Sequence, residues 1–297
     1  MISGQFFSSG LQAVGPAREA GRLMVRDTIG NSRRRLLIGV AIFLAMIVAG
    51  GAYEVFRAPD QVRLNPAQRF LVAGIVQKWE GRINFLPEGS RVVVGYGHLL
   101  GRLNWVEQSL VARIFAIDPK ELGFSGPFQS TRVPENLVRV EPATYQYGGV
   151  QKNTGVQYCP RPVYEDYLKM MAAMRRDLGK SLLIGNAYRS PGRQAYGFFL
   201  YLARNHDYSL RENARWNAMP GYSEHNAPVN TAMDFINEAG IDGDSQGQTA
   251  SDFEALPEYQ WLLDHAAQYN FHLSYPRNNH LGVTFEPWHW HWQQPGN

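Results

Sequence analysis

The sequence predicts an α+β fold, in which a small antiparallel sheet is flanked by helices and is preceded by one N-terminal transmembrane helix. Hydrophobic residues make up 44% of the chain and charged residues 19%, which is enough for a packed core and excludes global disorder. An uncharged stretch near the N-terminus is long enough to cross a bilayer. In the C-terminal half, short strand-like segments are separated by helices at unequal spacing and without a glycine-rich phosphate loop, which favours α+β over a doubly wound sheet.

The positive charge of the chain is concentrated at its start. The formal net charge is +3, but the first 35 residues hold six arginines against two acidic residues, so the other 262 residues carry −1. A chain without a cationic excess in its main part cannot neutralise many phosphates, and we expect no nucleic-acid partner. A single cysteine, Cys159, excludes an intramolecular disulfide and any zinc site built from several cysteines.

The segment Leu36–Tyr53 holds 18 residues without a charge and would be about 27 Å long as a helix. Because Arg33–Arg35 come directly before it, the positive-inside rule predicts a cytoplasmic basic tail at 1–35, a transmembrane anchor at 36–56 and a remainder on the periplasmic or extracellular side. Two other interpretations stay open. The small residues Ala49–Ala52 would suit the cleavage site of a secretory signal, and the segment could be a buried core helix.

The next hundred residues have weak periodicity. A helix is predicted to begin at Pro66 and to end at Gly81. After it, VVVGYGHLLG at 92–101 predicts a strand and a turn, and the stretch 118–149, dotted with proline and glycine, predicts long irregular connections. We therefore expect 57–150 to be a helical and irregular extension, to which the sequence assigns no role.

Residues 151–297 have clearer periodicity and are predicted to form one domain. Its elements are expected in this order: a helix at 160–179, a strand at 181–190, a helix from Pro191 to Arg204, a helix at 256–269 and a strand at 283–292.

Three side chains in this domain form the ligand set of a catalytic zinc ion. Such a site takes three protein ligands from neutral imidazoles and carboxylates and leaves one position open. His225 and Asp234 lie close together in the sequence, and His289 follows 55 residues after Asp234. The sequence thus predicts one Zn²⁺ held by these three residues, with His291 as an alternative to His289 because the two share a strand face.

Glu286 adds a candidate catalytic base to this set. A carboxylate near the metal can take a proton from the attacking water and later deliver it to the leaving amine. In a regular strand, positions i and i+3 point to opposite faces, so Glu286 and His289 can meet only if the chain turns between them. Pro287, which cannot donate to a sheet ladder, is the predicted place of that turn.

These motifs resemble the VanY-type D-alanyl-D-alanine carboxypeptidase family, which belongs to the zinc peptidases of the LAS fold group. The resemblance covers about residues 155–297 and is carried by SEHNAPVNTAMDF, FEPWHWHW and AYRSPGRQ. The family's Ser-x-His, Ala-x-Asp, Glu-x-x-His and Tyr-Arg-Ser motifs match Ser223 and His225, Ala232 and Asp234, Glu286 and His289, and Tyr188, Arg189 and Ser190. One departure is that eight residues separate His225 from Asp234, where the family usually has six and a glycine.

The resemblance implies a LAS-type domain in a bacterial cell membrane, hydrolysing the terminal peptide bond of peptidoglycan stem peptides. It implies that Glu286 acts as base and then as acid, and that Arg189 binds either the oxyanion or the terminal carboxylate of the substrate. Ser223 and Gln194 become expected substrate-binding residues. Two alternatives remain: a catalytically silent peptidoglycan-binding or partner-activating module, which the widened gap favours, and a related L,D-carboxypeptidase or endopeptidase.

Overall fold

The computed structural model describes residues 17–245 and 247–296, and within the first helix it describes side chains only at Arg34 and from Leu37 onward. Most of the predicted basic tail therefore lies outside the described side chains. The chain divides into two compact units, with the boundary between Val55 and Phe56.

The described part of the first unit is helix α1, Ala17–Phe56, whose last residue lies just past the unit boundary. Its segment Leu37–Phe56 is long and apolar enough to cross a membrane, and none of this segment is buried inside the protein. The alternative of a buried core helix is therefore wrong. A membrane anchor and a signal sequence both fit the length and composition of this helix.

The second unit begins with a group of helices. These are α2 at Pro66–Asn84, α3 at Glu88–Val92, α4 at Tyr96–Leu100, α5 at Trp105–Phe115 and a 3₁₀ turn at Pro119–Leu122. Helix α2 continues past Gly81, where the sequence predicted its end, because Ile83 in its last turn is buried in the core.

The strand and turn predicted at 92–101 are wrong, since this segment contains the end of α3 and all of α4. The backbone carbonyls here have partners other than a strand. Val92 O accepts from the backbone N–H of Ser190 at 3.1 Å, and Val94 O accepts from its hydroxyl at 2.6 Å. A run of valines favours a strand only where a ladder partner exists.

The stretch 118–149 is also more regular than predicted. Strand β1, Leu137–Val140, pairs antiparallel with β4, Gln157–Pro160. Strands β2, Thr144–Tyr147, and β3, Val150–Asn153, form a hairpin. Gly148 and Gly149 make its turn at φ of 61° and 77°, which is the left-handed conformation that two-residue hairpin turns require.

A four-stranded antiparallel sheet with helices beside it confirms the α+β prediction. Its strands are β5 at Leu182–Asn186, β6 at Ala232–Asn237, β7 at Phe271–Leu273 and β8 at His289–Trp292, in the spatial order β5-β6-β8-β7. The accompanying helices are α6 at Arg161–Leu178, α7 at Pro191–Arg204, α8 at Leu210–Ala214, α9 at Ala250–Glu254 and α10 at Pro257–His265. The predicted last strand is shorter than expected, because residues 287–288 form a turn.

Two buried clusters form the core. One joins the sheet to α6 and α10. The other joins α2 and α5 to α7 and α8, with the rings of Trp79 and Phe199 in edge contact at 5.2 Å. Residues on both sides of position 150 therefore belong to one compact unit. The division into an extension at 57–150 and a domain at 151–297 remains a prediction, which concerns function.

Candidate metal centre and substrate cleft

Strand register places the first group of polar side chains in a row. Asn186 on β5 pairs with Asp234 on β6, and Asp234 pairs with His289 on β8. Three neighbouring strands thus present one polar residue each at the same level of the sheet. The amide of Asn186 donates to Asp234 Oδ2 at 3.0 Å, which orients this carboxylate.

His225 reaches the same carboxylate from a 3₁₀ turn, Glu224–Asn226, outside the sheet. Its Nδ1 lies 2.8 Å from the carbonyl of Ala187, an arrangement that requires an N–H on Nδ1. The other ring nitrogen, Nε2, then carries a free lone pair and lies 3.0 Å from Asp234 Oδ2. Burial lowers the pKa of His225, so this imidazole is neutral, as a metal ligand must be.

In His289 the roles of the two ring nitrogens are reversed relative to His225. Its Nε2 lies 3.0 Å from Glu224 Oε2, and its Nδ1 lies 2.8 Å from Asp234 Oδ1. A proton on Nε2 donated to Glu224 leaves Nδ1 as the atom that faces the cluster. Although burial alone lowers the pKa of His289, its hydrogen bonds to the two carboxylates raise that pKa to about 10.

The ligand atoms of His225, Asp234 and His289 all lie within 4.8 Å of one another. Two imidazole nitrogens and a carboxylate at this spacing fit a tetrahedral zinc site with one open position. The eight-residue gap between His225 and Asp234 does not separate them. Pro228 and Val229 project into solvent, and the Thr231 hydroxyl lies 3.4 Å from the carbonyl of His225, so the extra residues form an outward loop.

His291, the alternative ligand, lies outside this cluster. Its Nδ1 lies 3.0 Å from the hydroxyl of Ser274. Among the residues that the structure describes, the cluster contains only the three side chains of the predicted set.

Glu286 lies beside the cluster, as the sequence predicted, because the chain turns at Pro287. The backbone N–H of His289 donates to the carbonyl of Glu286 at 3.2 Å, which closes this turn. Glu286 Oε2 lies 3.8 Å from His289 Nδ1. Burial, reinforced by the charge of Asp234, raises the pKa of Glu286 to about 8.

Arg189 enters the site at the start of α7. The amide of Asn226 donates to its carbonyl at 2.6 Å, and its own N–H donates to the carbonyl of His225 at 2.9 Å. Its guanidinium makes no hydrogen bond or ion pair with any described residue, and its Nε is buried without a partner. A buried cation without a partner is costly, so this side chain is prepared for an anion from outside.

These residues line a cavity of about 340 Å³. The predicted substrate-binding residues Ser223 and Gln194 lie in its wall. Gln194 donates to the carbonyl of Ala218 at 2.6 Å, while its Oε1 is buried without a partner. The cavity extends beyond the metal cluster along α7 and α8, where it is lined by Tyr201, Asn205, Arg215 and Trp216.

Two residues of the site were missed from the sequence. Glu224, which fixes the orientation of His289, lies between two residues of the Ser-x-His motif, and an acidic residue next to a metal ligand is a signal for this role. Tyr275 also lines the cavity, and its ring lies against His289 at 4.7 Å. Tyr275 lies in the segment YNFHLSYP at 269–276, so its place before the last strand could be read from the sequence. Its contact with His289 could not.

The model of the family described as VanY, D-alanyl-D-alanine carboxypeptidase, matches residues 157–295. A curated D-alanyl-D-alanine carboxypeptidase of Enterococcus faecium is 24% identical over 156 residues, which are 52% of this chain and 43% of that protein. The match therefore spans less than half of the length of this relative.

Two solved structures are similar to part of the chain. A variant of the vancomycin-resistance D,D-pentapeptidase VanY, in complex with Zn(II), has 20% identity and a TM-score of 0.36, covering 50% of this chain and 78% of the other. The L,D-carboxypeptidase DacB from Streptococcus pneumonia has 24% identity and a TM-score of 0.34, covering 45% of this chain and 65% of the other.

Proposed function

Residues 157–295 belong to the VanY family of D-alanyl-D-alanine carboxypeptidases, and from this premise we propose that the chain is a zinc-dependent D,D-carboxypeptidase. Its substrate is the stem peptide of peptidoglycan, from which it removes the terminal D-alanine. The observation that carries the proposal is the cluster of His225, Asp234 and His289 within 4.8 Å, with Glu286 beside it in an open cavity.

One zinc ion would be held by His225 Nε2, the carboxylate of Asp234 and His289 Nδ1. Zinc at such a site polarises a carbonyl and lowers the pKa of water. Asn186 and Glu224 orient the carboxylate and the second imidazole by hydrogen bonds, which keeps the ligand atoms in place before a metal arrives.

Glu286 serves as the proton carrier. In its ionised form it accepts a proton from the attacking water, and it then returns the proton to the amine of the departing D-alanine. Its pKa of about 8 in the metal-free site lies close to neutral pH. A neighbouring divalent cation would lower this pKa, because the positive charge favours the ionised carboxylate. Such a carboxyl group can both accept and release a proton near pH 7.

Arg189 binds an anionic oxygen of the substrate, because its guanidinium has no hydrogen bond or ion pair with a described residue, although the charges of Asp234 and Glu286 act on it from a longer distance. The oxyanion that forms on the cleaved peptide group and the terminal carboxylate of the stem peptide both have the required charge. Ser223 and Gln194, which line the same cavity, contribute hydrogen bonds to the peptide. The part of the cavity along α7 and α8 leaves room for residues that precede the cleaved bond.

The N-terminal helix would anchor the enzyme in the bacterial cell membrane. The six arginines before it favour a cytoplasmic N-terminus, so the second unit would face the periplasm or the cell exterior. This placement puts the cavity on the side of the membrane where stem peptides occur.

The silent-module alternative loses the observation that favoured it, since the widened loop leaves the ligand atoms together. The L,D-carboxypeptidase and endopeptidase alternatives differ from the proposal only in the bond that is cut. Mass spectrometry of muropeptides incubated with the full-length, zinc-loaded protein separates all three. Release of the terminal D-alanine supports the proposal, whereas cleavage at another bond, or no cleavage, contradicts it.

A further inference from the structure

The hydroxyl of Tyr275 has no hydrogen-bond partner among the residues that the structure describes. Its side chain is only 5% exposed and lines the same cavity as Glu286 and Arg189. In the described part of the chain, no group forms a hydrogen bond with this hydroxyl. By contrast, the buried phenol of Tyr167 donates to the carbonyl of Leu182 at 2.8 Å.

The oxygen of this hydroxyl is not among the fully enclosed polar atoms that lack a partner, so it is open to the cavity and a ligand there can reach it. Packing against His289 needs only the ring, which a phenylalanine would supply equally well. The hydroxyl of Tyr275 is therefore unexplained by the folded protein alone, and the cavity is where a partner would be found.

The position of Tyr275 is coupled to that of the proposed base. The backbone N–H of Glu286 donates to the carbonyl of Tyr275 at 3.1 Å. The ring of Tyr275 lies 4.7 Å from that of His289. The phenol is thus held on the side of the cavity where the peptide bond would be cut.

The chemistry of the phenol favours a role as a donor. A phenol has an ordinary pKa of about 10 and carries one O–H that can donate a hydrogen bond at neutral pH. An oxygen that gains negative charge is a suitable acceptor for it.

We propose that Tyr275 is a catalytic residue that donates a hydrogen bond from its hydroxyl to the carbonyl oxygen of the peptide group being cut. This inference rests on the proposed function of the site. The phenol stabilises the oxygen as it gains negative charge, alongside the chemistry assigned to Glu286, and no bond to Tyr275 is formed or broken.

The test is Tyr275→Phe in the full-length, zinc-loaded protein, which removes the hydroxyl and keeps the ring against His289. We expect kcat on a stem pentapeptide to fall about 10²-fold. KM, zinc content and the temperature of unfolding are expected to stay at the unmodified protein's values. The matched control is Tyr259→Phe, since Tyr259 is also buried, at 7% exposure, but does not line the cavity. This control is expected to retain full activity.

A binding measurement separates failure of this inference from failure of the proposed function. A phosphinate analogue of D-alanyl-D-alanine carries a tetrahedral anionic group, and calorimetry reports its affinity without turnover. We expect Tyr275→Phe to bind it at least about tenfold more weakly than the unmodified protein does. Unchanged kcat and affinity, or a loss of zinc, would overturn the role of Tyr275. If the unmodified protein neither cleaves stem peptides nor binds the analogue, the proposed function fails and this inference fails with it.

Discussion

The sheet region and the helical region of the second unit contribute to the cavity in different ways. The sheet supplies metal-binding atoms by register, since Asn186, Asp234 and His289 are paired neighbours on three strands. The helical region is an apolar core, and its contribution is to fix the start of α7, where Ser190 bonds to Val92 and Val94.

The candidate metal ligands and Arg189 are therefore positioned by different sets of contacts. Two of the three candidate metal ligands, Asp234 and His289, depend on backbone pairing within the sheet, whereas His225 comes from the 3₁₀ turn outside it. The position of Arg189 depends in part on contacts outside the family-matched region, because Val92 and Val94 accept hydrogen bonds from the neighbouring Ser190. The extension at 57–150 therefore supports the cleft, even though its own sequence contains no catalytic motif.

The largest expected effect concerns the sheet side of the cavity. Glu286→Gln removes the proton carrier but keeps the shape of the side chain, so we expect activity to fall about 10³-fold. Zinc binding should remain, because Glu286 is not one of the three ligands. The measurements are product release and metal content. Glu141→Gln on the exposed strand end is the control and should behave as the unmodified protein. Full activity of Glu286→Gln would contradict the assigned role.

The next effect tests the residue that the helical region positions. Arg189→Ala should lower kcat/KM about 10²-fold, since it removes a cavity cation that forms no hydrogen bond or ion pair with a described residue. A fall in kcat identifies the oxyanion as the bound group, and a rise in KM identifies the terminal carboxylate. Arg193→Ala is the matched control, because Arg193 lies over the ring of Tyr196 and does not line the cavity. Equal activities of the two variants would remove Arg189 from the mechanism.

Metal binding on the sheet side should depend on pH. The pKa of His289 in the metal-free protein is about 10, so its imidazole is protonated at neutral pH and must lose that proton to bind zinc. The lowered pKa of His225 means that this residue releases none. We therefore expect the Kd for zinc to fall at least about tenfold for each pH unit between about pH 6 and about pH 8. Competition titration with a chelator measures this slope, and a Kd independent of pH would contradict the hydrogen bonding described for His289.

The smallest effect tests the contact between the helical region and α7. A Cβ at Gly192 would lie 2.3 Å from the carbonyl oxygen of Val94. Gly192→Ala should therefore destabilise the protein by about 1–3 kcal/mol. In the same helix, Gly197 has no atom within 4 Å of an added Cβ, so Gly197→Ala should stabilise the protein by up to about 1 kcal/mol. Urea unfolding compares them, and equal stabilities would show that the Val94 contact does not constrain α7.

The sequence was informative where local chemistry decides structure. Proline at the start of α2 and α7 marked these helices, and the turn at Pro287 followed from the need to bring Glu286 next to His289. The three-residue metal cluster was recognisable because each of the three residues has a ligand side chain and lies in a motif of the resembled family, although His289 lies 55 residues after Asp234.

The remaining features depend on partners that are distant in the sequence. Strand β1 forms because β4 lies beside it, and the valines at 92–94 stay out of a strand because Ser190 occupies their carbonyls. The contacts of Glu224 and Tyr275 with His289 likewise join residues that periodicity cannot pair. Local propensity contains no information about such contacts.

The loop at 228–230 bulges outward, so His225 and Asp234 stay close in space although eight residues separate them in the sequence. Pro228 and Val229 are exposed, while Thr231 returns the chain to the buried start of β6. A short peptide tag inserted between Pro228 and Val229, or a fluorescent label attached there, would therefore report on this face of the protein without displacing His225 or Asp234.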